Sequence, residues 1–342
     1  LSMARGYVAR GAHARYTPAM PTLRFAIAAG PSLGLGHLRR MQVLAAAARA
    51  ADLSVALHVG DAAGPRPADL IADAAWPPDL PGPVPAASWD ALPAADALIV
   101  DGAIFDAAQC RRWRRRTGCL VVIDDTGAAL RPADLLVNPG LAGGAVDYAA
   151  HPVTAVLRGP AHALVDARFF AVPAVAAESG RVVVGFGASD DGRVGGPVAE
   201  ALLAAGLPAV DLVTSPLWPV NETVAGLVAA GAGRLVHHHG AEMAALLADA
   251  WLYCGAAGVT VGEALAAGRA VVVAALVADQ APNIAALTAA GLPAFAAIDP
   301  AAMAAAAVAE RAWRRPRPAR APRPGGPARV IAGILARLAQ DC

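Results

Sequence analysis

The chain has 342 residues, a formal net charge of +1 and 57% hydrophobic residues, of which few are aromatic. This length is enough for two domains of ordinary size, and the balanced charge gives no sign of a nucleic-acid partner. Four cysteines occur without a CxxC spacing, which is typical of a reducing cytoplasm and argues against a structural zinc. No apolar run of transmembrane length is free of glycine, proline and charge, so we expect no integral membrane segment.

Residues 1–22 contain Arg5, Arg10 and Arg15 but lack the apolar core of a secretory signal. We predict that this segment is a disordered leader outside the fold and that the protein is cytoplasmic.

Residues 25–48 predict a buried strand, a glycine-rich turn and an amphipathic helix. The turn contains Gly30, Gly34, Gly36 and His37, with Arg40 one helical turn later. Glycines let the backbone approach a ligand closely, and the free N–H groups of a helix start favour a phosphate. His37 could bond a ligand or move a proton near neutral pH. The alternative is a turn in which His37 only caps the helix or packs locally.

The first half of the chain alternates strands and helices, which predicts a parallel sheet covered on both faces. Polar residues Asp101, Asp124 and Asn138 follow three of these strands, at the edge where such sheets bind ligands. Residues 61–95 are rich in proline and predict a loop. The predicted strands are 53–59, 97–100, 119–123 and 135–137, with a helix at 105–116.

After residues 139–180, which have no clear period, a second alternating series begins. Its predicted strands are 181–186, 209–214, 251–254 and 270–275, and its helices are 194–205, 243–250 and 260–267. We therefore predict an α/β protein of two Rossmann-like, doubly wound domains that face a cleft. The predicted boundaries are 23–160 for the first domain, 161–180 for a connector, 181–315 for the second domain, and 316–342 for a linker and terminal helix.

A second glycine-rich turn precedes the helix at 260–267. Backbone N–H groups of Gly258 to Thr260 could hold a diphosphate at this helix start. Glu263 lies one turn further on, where its carboxylate could accept both hydroxyls of a ribose. The alternative for Glu263 is a charge that the helix dipole favours in a first turn.

Several short motifs occur in an order that resembles a known family. They are Gly34-x-Gly36-His37-x-x-Arg40, Asp124-Asp125, the connector at 158–169, Gly187-x-Ser189-Asp190, Gly255-x-x-Gly258-x-Thr260-x-x-Glu263 and Asp279-Gln280. Together they resemble UDP-2,4-diacetamido-2,4,6-trideoxy-β-L-altropyranose hydrolase, which acts in pseudaminic acid synthesis for cell-surface glycans. That family is similar in turn to the enzyme of the glycosyltransferase B fold that adds N-acetylglucosamine to lipid II precursors.

The resemblance implies the glycosyltransferase B fold and a hydrolysis that needs no metal and no cofactor. Water attacks the anomeric carbon of a UDP-activated deoxy-amino sugar, the configuration inverts, and UDP leaves. His37 would be the catalytic base or the residue that orients the water. The residues implied to bind the substrate are Gly34, Gly36, Arg40, Gly187, Ser189, Asp190, Gly255, Gly258, Val259, Thr260, Glu263, Asp279 and Gln280.

The chain departs from the family at two places. Gly102 and Ala103 follow Asp101 where the family usually has histidine and tyrosine, and Asp279 replaces an asparagine. These departures keep two alternatives open. One is a glycosyltransferase of the same fold that uses a UDP-sugar donor, and the other is a binder of nucleotide sugars without catalysis.

Three other clusters could carry function. His237, His238 and His239 suggest a metal, but no carboxylate or cysteine lies at ligand spacing, so a loop at the cleft edge is favoured. The arginines at 111–116 could bind anions or a membrane surface, although a solvated helix face is favoured. Asp124 and Asp125 point to opposite faces if they continue a strand; either could order a loop, and at most one faces the cleft.

Overall fold

A computed structural model of the chain describes residues 20–30, 33–65, 76–175, 180–312 and 321–340. These residues form two sheets, one of seven strands and one of six. All strand pairs are parallel except β2 with β3. The predicted α/β class is confirmed, with one Rossmann-like sheet in each half of the chain.

The first sheet has the order β3-β2-β1-β4-β5-β6-β7. Its central strand β4 is a continuous apolar run that ends in Asp101, and all five of its residues are buried. Alternate residues of β4 pack into clusters on opposite faces of the sheet, as expected for a strand covered on both sides. The strands are β1 Thr22–Ala28, β2 Ser54–Asp61, β3 Gly64–Pro65, β4 Ala97–Asp101, β5 Cys119–Ile123, β6 Ala133–Asn138 and β7 Val153–Arg158, with helices α1 Gly36–Ala50 and α2 Ala107–Arg114.

The second sheet has the order β10-β9-β8-β11-β12-β13. Its strands are β8 Arg181–Gly185, β9 Val210–Thr214, β10 Leu235–His239, β11 Ala250–Ala256, β12 Ala270–Ala274 and β13 Ala294–Phe295. Its helices are α3 Gly195–Ala204, α4 Glu222–Ala230, α5 Met243–Asp249, α6 Val259–Ala266, α7 Ala281–Ala289 and α8 Pro300–Ala312. A final helix, α9 Gly326–Leu338, returns to the first sheet, where Val330, Ile331 and Ile334 join the core beside α1.

Some elements differ from the sequence prediction. Strands β7 and β10 were not predicted, because β7 is only half-buried and three of the five residues of β10 are histidines. Helices α4 and α7 were also missed. Strand β1 begins at Thr22, inside the segment predicted as a leader, whereas residues 1–19 lie outside the described part of the chain. No helix among the described residues is long and apolar enough to span a membrane.

Candidate active site in the cleft

The glycine-rich turn before α1 is closed by backbone pairing of its two ends. Gly34 N–H donates to Gly30 O at 2.7 Å, and Gly30 N–H donates back to Gly34 O at 3.2 Å. Gly34 has φ +75°, a conformation that favours glycine. A Cβ at Gly36 would lie 3.3 Å from Val259 Cγ2 at the start of α6. The first turn of α1 therefore faces the first turn of α6 across the cleft.

His37 is held by a buried carboxylate from the neighbouring strand. Its Nδ1 lies 2.8 Å from Asp101 Oδ1, and its side chain is 25% exposed while that of Asp101 is fully buried. Burial alone would raise the pKa of Asp101, but Arg40 and His37 hold it well below the usual range. Nδ1 also lies 3.0 Å from Arg40 Nη2, which can only donate. The shorter contact, with ionised Asp101, requires a proton on Nδ1, and from it we assign the tautomer that leaves a lone pair on Nε2.

Arg40 joins two carboxylates beside His37. Its Nε and Nη2 each donate to one oxygen of Asp101 at 2.6 Å, and its Nη1 donates to both oxygens of Asp125 at 2.8 Å. Burial would lower the pKa of Arg40, but the two carboxylates raise it above its ordinary value. The contacts of Arg40 thus run toward protein groups in this structure; its binding to a substrate stays a prediction.

The two adjacent aspartates after β5 have different contacts. Asp124 is buried, and its Oδ1 accepts from the backbone N–H groups of Thr126 and Gly127 at 2.8 and 2.7 Å. Its Oδ2 also pairs with Arg131 at 3.2 Å. Asp124 therefore orders the loop, while the partly exposed Asp125 turns to Arg40. The sequence left this choice open.

Backbone geometry explains why Gly102 departs from the family pattern. Gly102 has φ +139°, and a Cβ there would lie 2.2 Å from Ala28 Cβ on β1. Its carbonyl accepts from buried Arg131 at 3.0 Å, so the peptide is held in place. No larger side chain fits at position 102 beside Ala28, and the exposed Ala103 offers only a methyl group.

The second glycine-rich turn lies against β8 and the loop after β12. A Cβ at Gly255 would lie 2.0 Å from Gly185 O, so this position must be glycine. A Cβ at Gly258 would lie 3.5 Å from Gln280 Nε2, which places the Gln280 side chain beside the start of α6. Val259 and Thr260 form the first turn of that helix and are half-buried. The backbone N–H groups of this turn are positioned to bind an anion.

Glu263 from α6 and Arg39 from α1 lie near enough across the cleft for each charge to influence the pKa of the other. Burial raises the pKa of Glu263 to about 7, while the nearby positive charge of Arg39 opposes this shift. Burial likewise lowers the pKa of Arg39, and Glu263 opposes that shift. Glu263 is the predicted ribose ligand; sequence reasoning did not identify Arg39 as its neighbour.

In the Gly187-x-Ser189-Asp190 motif, the side chain of Asp190 stabilises the turn that follows it. Asp190 is buried, and its carboxylate accepts from the N–H groups of Gly192, Val194 and Gly195 at 2.9 to 3.1 Å. Gly187, with φ +86°, and Ser189 are exposed beside it. Asp279 is also exposed, in the short helical turn Ala278–Gln280.

The three adjacent histidines of β10 have three separate partners. Their Nε2 atoms contact Thr214 Oγ1 at 2.7 Å, Asp211 Oδ1 at 2.8 Å and Trp218 O at 2.7 Å, for His237, His238 and His239 respectively. Among the arginines near α2, Arg112 pairs with Asp90 and Arg114 with Asp134. Both clusters therefore have local structural partners.

Asp101 and Asp125 are the site residues that sequence reasoning did not assign. The available signal was position alone, because both follow strands at the carboxyl edge of the first sheet. The structure brings them together with His37 and Arg40 into one cluster, and it places Gly258 to Glu263 on the opposite wall.

Comparison with known structures confirms the predicted glycosyltransferase B fold. No protein-family model and no curated protein matches the chain by sequence. The UDP-GlcNAc 2-epimerase from Neisseria meningitidis bound to UDP-GlcNAc aligns over 92% of this chain and 100% of its own, with TM-score 0.56 and 10% identity. MurG from Acinetobacter baumannii aligns over 93% and 99%, with TM-score 0.54 and 14% identity.

A third similar structure is the UDP-GlcNAc 2-epimerase from Methanocaldococcus jannaschii in complex with UDP-GlcNAc and UDP. It aligns over 92% of this chain and 99% of its own, with TM-score 0.52 and 7% identity. At such identities the likeness is one of fold, and the two-sheet arrangement extends over nearly the whole of each protein.

Substitution of Gly102 tests the close approach of β1 to the residue after β4. Gly102→Ala should lower the free energy of unfolding by about 2–4 kcal/mol, because the new methyl overlaps Ala28 and φ is strained. Urea unfolding measures this, and Ala28→Gly in the same chain should restore part of the loss. Gly144→Ala, where a Cβ meets nothing within 4 Å, is the control. A Gly102→Ala protein as stable as its parent would contradict the described backbone.

Substitution of Glu263 tests its burial. With its pKa raised to about 7, the folded protein binds more protons than the unfolded chain between the ordinary carboxyl pKa and 7, so this residue lowers stability as pH rises through that window. Glu263→Gln should gain about 1–2 kcal/mol in stability relative to the parent between pH 4.5 and 8. Thermal unfolding at several pH values measures it, with exposed Glu200→Gln as control. If the difference in stability between Glu263→Gln and the parent does not change with pH across that range, Glu263 is solvated.

Proposed function

We propose that this protein hydrolyses a UDP-activated deoxy-amino sugar, of the kind used to make pseudaminic-type nonulosonic acids, and releases UDP and the free sugar. The observation that carries the proposal is the contact of His37 with ionised Asp101, at a cleft wall that faces the start of α6. Further support comes from the order of the family motifs and from the UDP-GlcNAc bound in two structures of the same fold.

In the proposed reaction His37 is the catalytic base. Its Nε2 takes a proton from a water molecule, whose oxygen attacks the anomeric carbon. The bond between that carbon and the β-phosphate oxygen breaks, and UDP leaves with the bonding electrons. Asp101 stabilises the imidazolium that forms on His37, as a carboxylate does when it accepts from the far ring nitrogen.

The second half of the protein would bind the nucleotide. Gly258, Val259 and Thr260 present backbone N–H groups to the diphosphate, whose charge grows as it leaves. Glu263 accepts the ribose hydroxyls, and Gln280, beside Gly258, borders the same turn. The exposed Gly187, Ser189 and Asp279 remain proposed substrate contacts, whereas the carboxylate of Asp190 supports the backbone beneath them.

A glycosyltransferase of the same fold is the second candidate to be tested. No side chain larger than methyl projects from positions 102 and 103, where the family usually has histidine and tyrosine. The sugar recognised would therefore differ in its contacts at that wall from the sugar of the resembling hydrolase.

UDP release from a panel of UDP-sugars, without added acceptor, tests the proposed reaction. The parent protein should release UDP from at least one deoxy-amino sugar donor, and His37→Ala should lower kcat by about 100-fold to 10,000-fold because it removes the base. UDP binding, measured by calorimetry, should be retained in that variant.

His162→Ala is the matched control, since His162 lies in the connector and contacts Arg158 O rather than the cleft cluster. Retained UDP binding with no release from any donor would reject the hydrolase and favour a transferase or a binder. Equal release by the parent and His37→Ala would reject the role of His37.

A further inference from the structure

Among the described residues, the carboxylate of Asp125 has one hydrogen-bonding partner. Both of its oxygens accept from Arg40 Nη1 at 2.8 Å, and its side chain is 31% exposed. No step of the proposed hydrolysis requires Asp125 to touch the sugar, the water or the nucleotide. Its position at the cleft therefore calls for a different explanation.

The backbone of Asp125 is held by contacts that do not involve Arg40. Buried Asn138 donates from Nδ2 to Asp125 O at 3.3 Å and to Tyr148 Oη at 2.8 Å, and Tyr148 in turn donates to Asp124 O at 3.1 Å. Asn138 Oδ1 also accepts from Gly140 N–H at 2.9 Å. This network ties the ends of β5 and β6 together, so the Asp125 carboxylate is held at a set distance from α1.

Arg40 transmits that position to His37. Its planar guanidinium reaches both carboxylates at once, which a lysine could not do. The oxygen of Asp101 that contacts His37 Nδ1 also accepts from Arg40 Nη2 at 2.6 Å. A shift of Arg40 would therefore move the carboxylate that orients the imidazole.

Charge provides the second part of the argument. Asp101 and Asp125 with Arg40 carry one net negative charge while His37 is neutral, and none once His37 has taken a proton. Without Asp125, Arg40 would neutralise Asp101 alone, and a proton on His37 would leave a net positive charge in a partly buried site. Asp125 therefore balances the charge of the cluster when His37 carries a second proton.

We propose that Asp125 is a positioning residue that acts through Arg40 to hold Asp101 against His37 Nδ1 and so keeps the lone pair on Nε2. This inference rests on the proposed function only for its effect on the rate. The tautomer of His37 can be measured without any substrate.

Other charged groups near the cluster act on other partners. Arg131 from the loop before β6 pairs with Asp124, and across the cleft the charge of Arg39 acts on Glu263. The charged groups that contact His37 are Asp101 and Arg40, and Asp125 acts on His37 through Arg40.

Nitrogen-15 NMR of the histidine side chains, in full-length protein without ligand, tests the proposal. His37→Gln identifies the His37 signals. In the parent at high pH, His37 should be protonated on Nδ1, and in Asp125→Asn a measurable fraction of His37 should carry the proton on Nε2 instead. Asp90→Asn, which alters an exposed aspartate paired with Arg112 at 3.3 Å, should leave the His37 signals unchanged.

The same variants are assayed for UDP release. Asp125→Asn should lower kcat several-fold with little change in KM, in proportion to the loss of the Nδ1-protonated tautomer. Arg40→Lys, which keeps the charge but loses the double contact, should populate both His37 tautomers and provides a second test if Asp125→Asn does not fold.

The outcomes separate this inference from the proposed function. A His37 tautomer that is unchanged in folded Asp125→Asn, or an Nε2-protonated His37 in the parent, overturns the inference. The expected NMR shifts without UDP release from any donor support the role of Asp125 and reject the hydrolase.

Discussion

The buried ion pair between Asp101 and Arg40 is the interaction on which the rest of the site depends. Asp101 ends the central strand of the first sheet, where its carboxylate is fully shielded from water. An unpaired carboxylate at such a position is strongly destabilising, so the strand requires the guanidinium that α1 supplies. Since His37 lies one helical turn before Arg40, the same pair fixes the imidazole at the mouth of the cleft.

The two halves of the protein contribute different kinds of chemistry to the cleft. The first sheet supplies a connected set of charged side chains, while the second supplies a helix start, close-packed glycines and a half-buried glutamate. Gly36 and Val259 show how near these two walls come. The three similar structures are at most 14% identical to this chain. The chemistry must therefore be argued from these side chains rather than from the fold.

Much of this arrangement could be predicted from the sequence, because strand and helix patterns and glycine-rich turns are local. The contacts of Asp101 with His37 and Arg40 could not, since they join residues 64 and 61 positions apart, and Asp125 lies 85 positions from Arg40. The two adjacent aspartates are equivalent in the sequence, whereas in the structure Asp124 accepts hydrogen bonds from the backbone of the loop that follows it. Likewise, Gly102 looked like a lost functional residue, whereas Ala28 on the neighbouring strand explains why that position is glycine.

The central claim is that water, activated by His37, attacks the sugar carbon and not phosphorus. The most direct test uses a UDP-sugar that the protein hydrolyses. The reaction is run in water enriched with oxygen-18, and both products are analysed by mass spectrometry. The account predicts one labelled oxygen on the anomeric carbon of the released sugar and none in UDP. A label in the β-phosphate of UDP would show cleavage of the bond to phosphorus and would contradict the account.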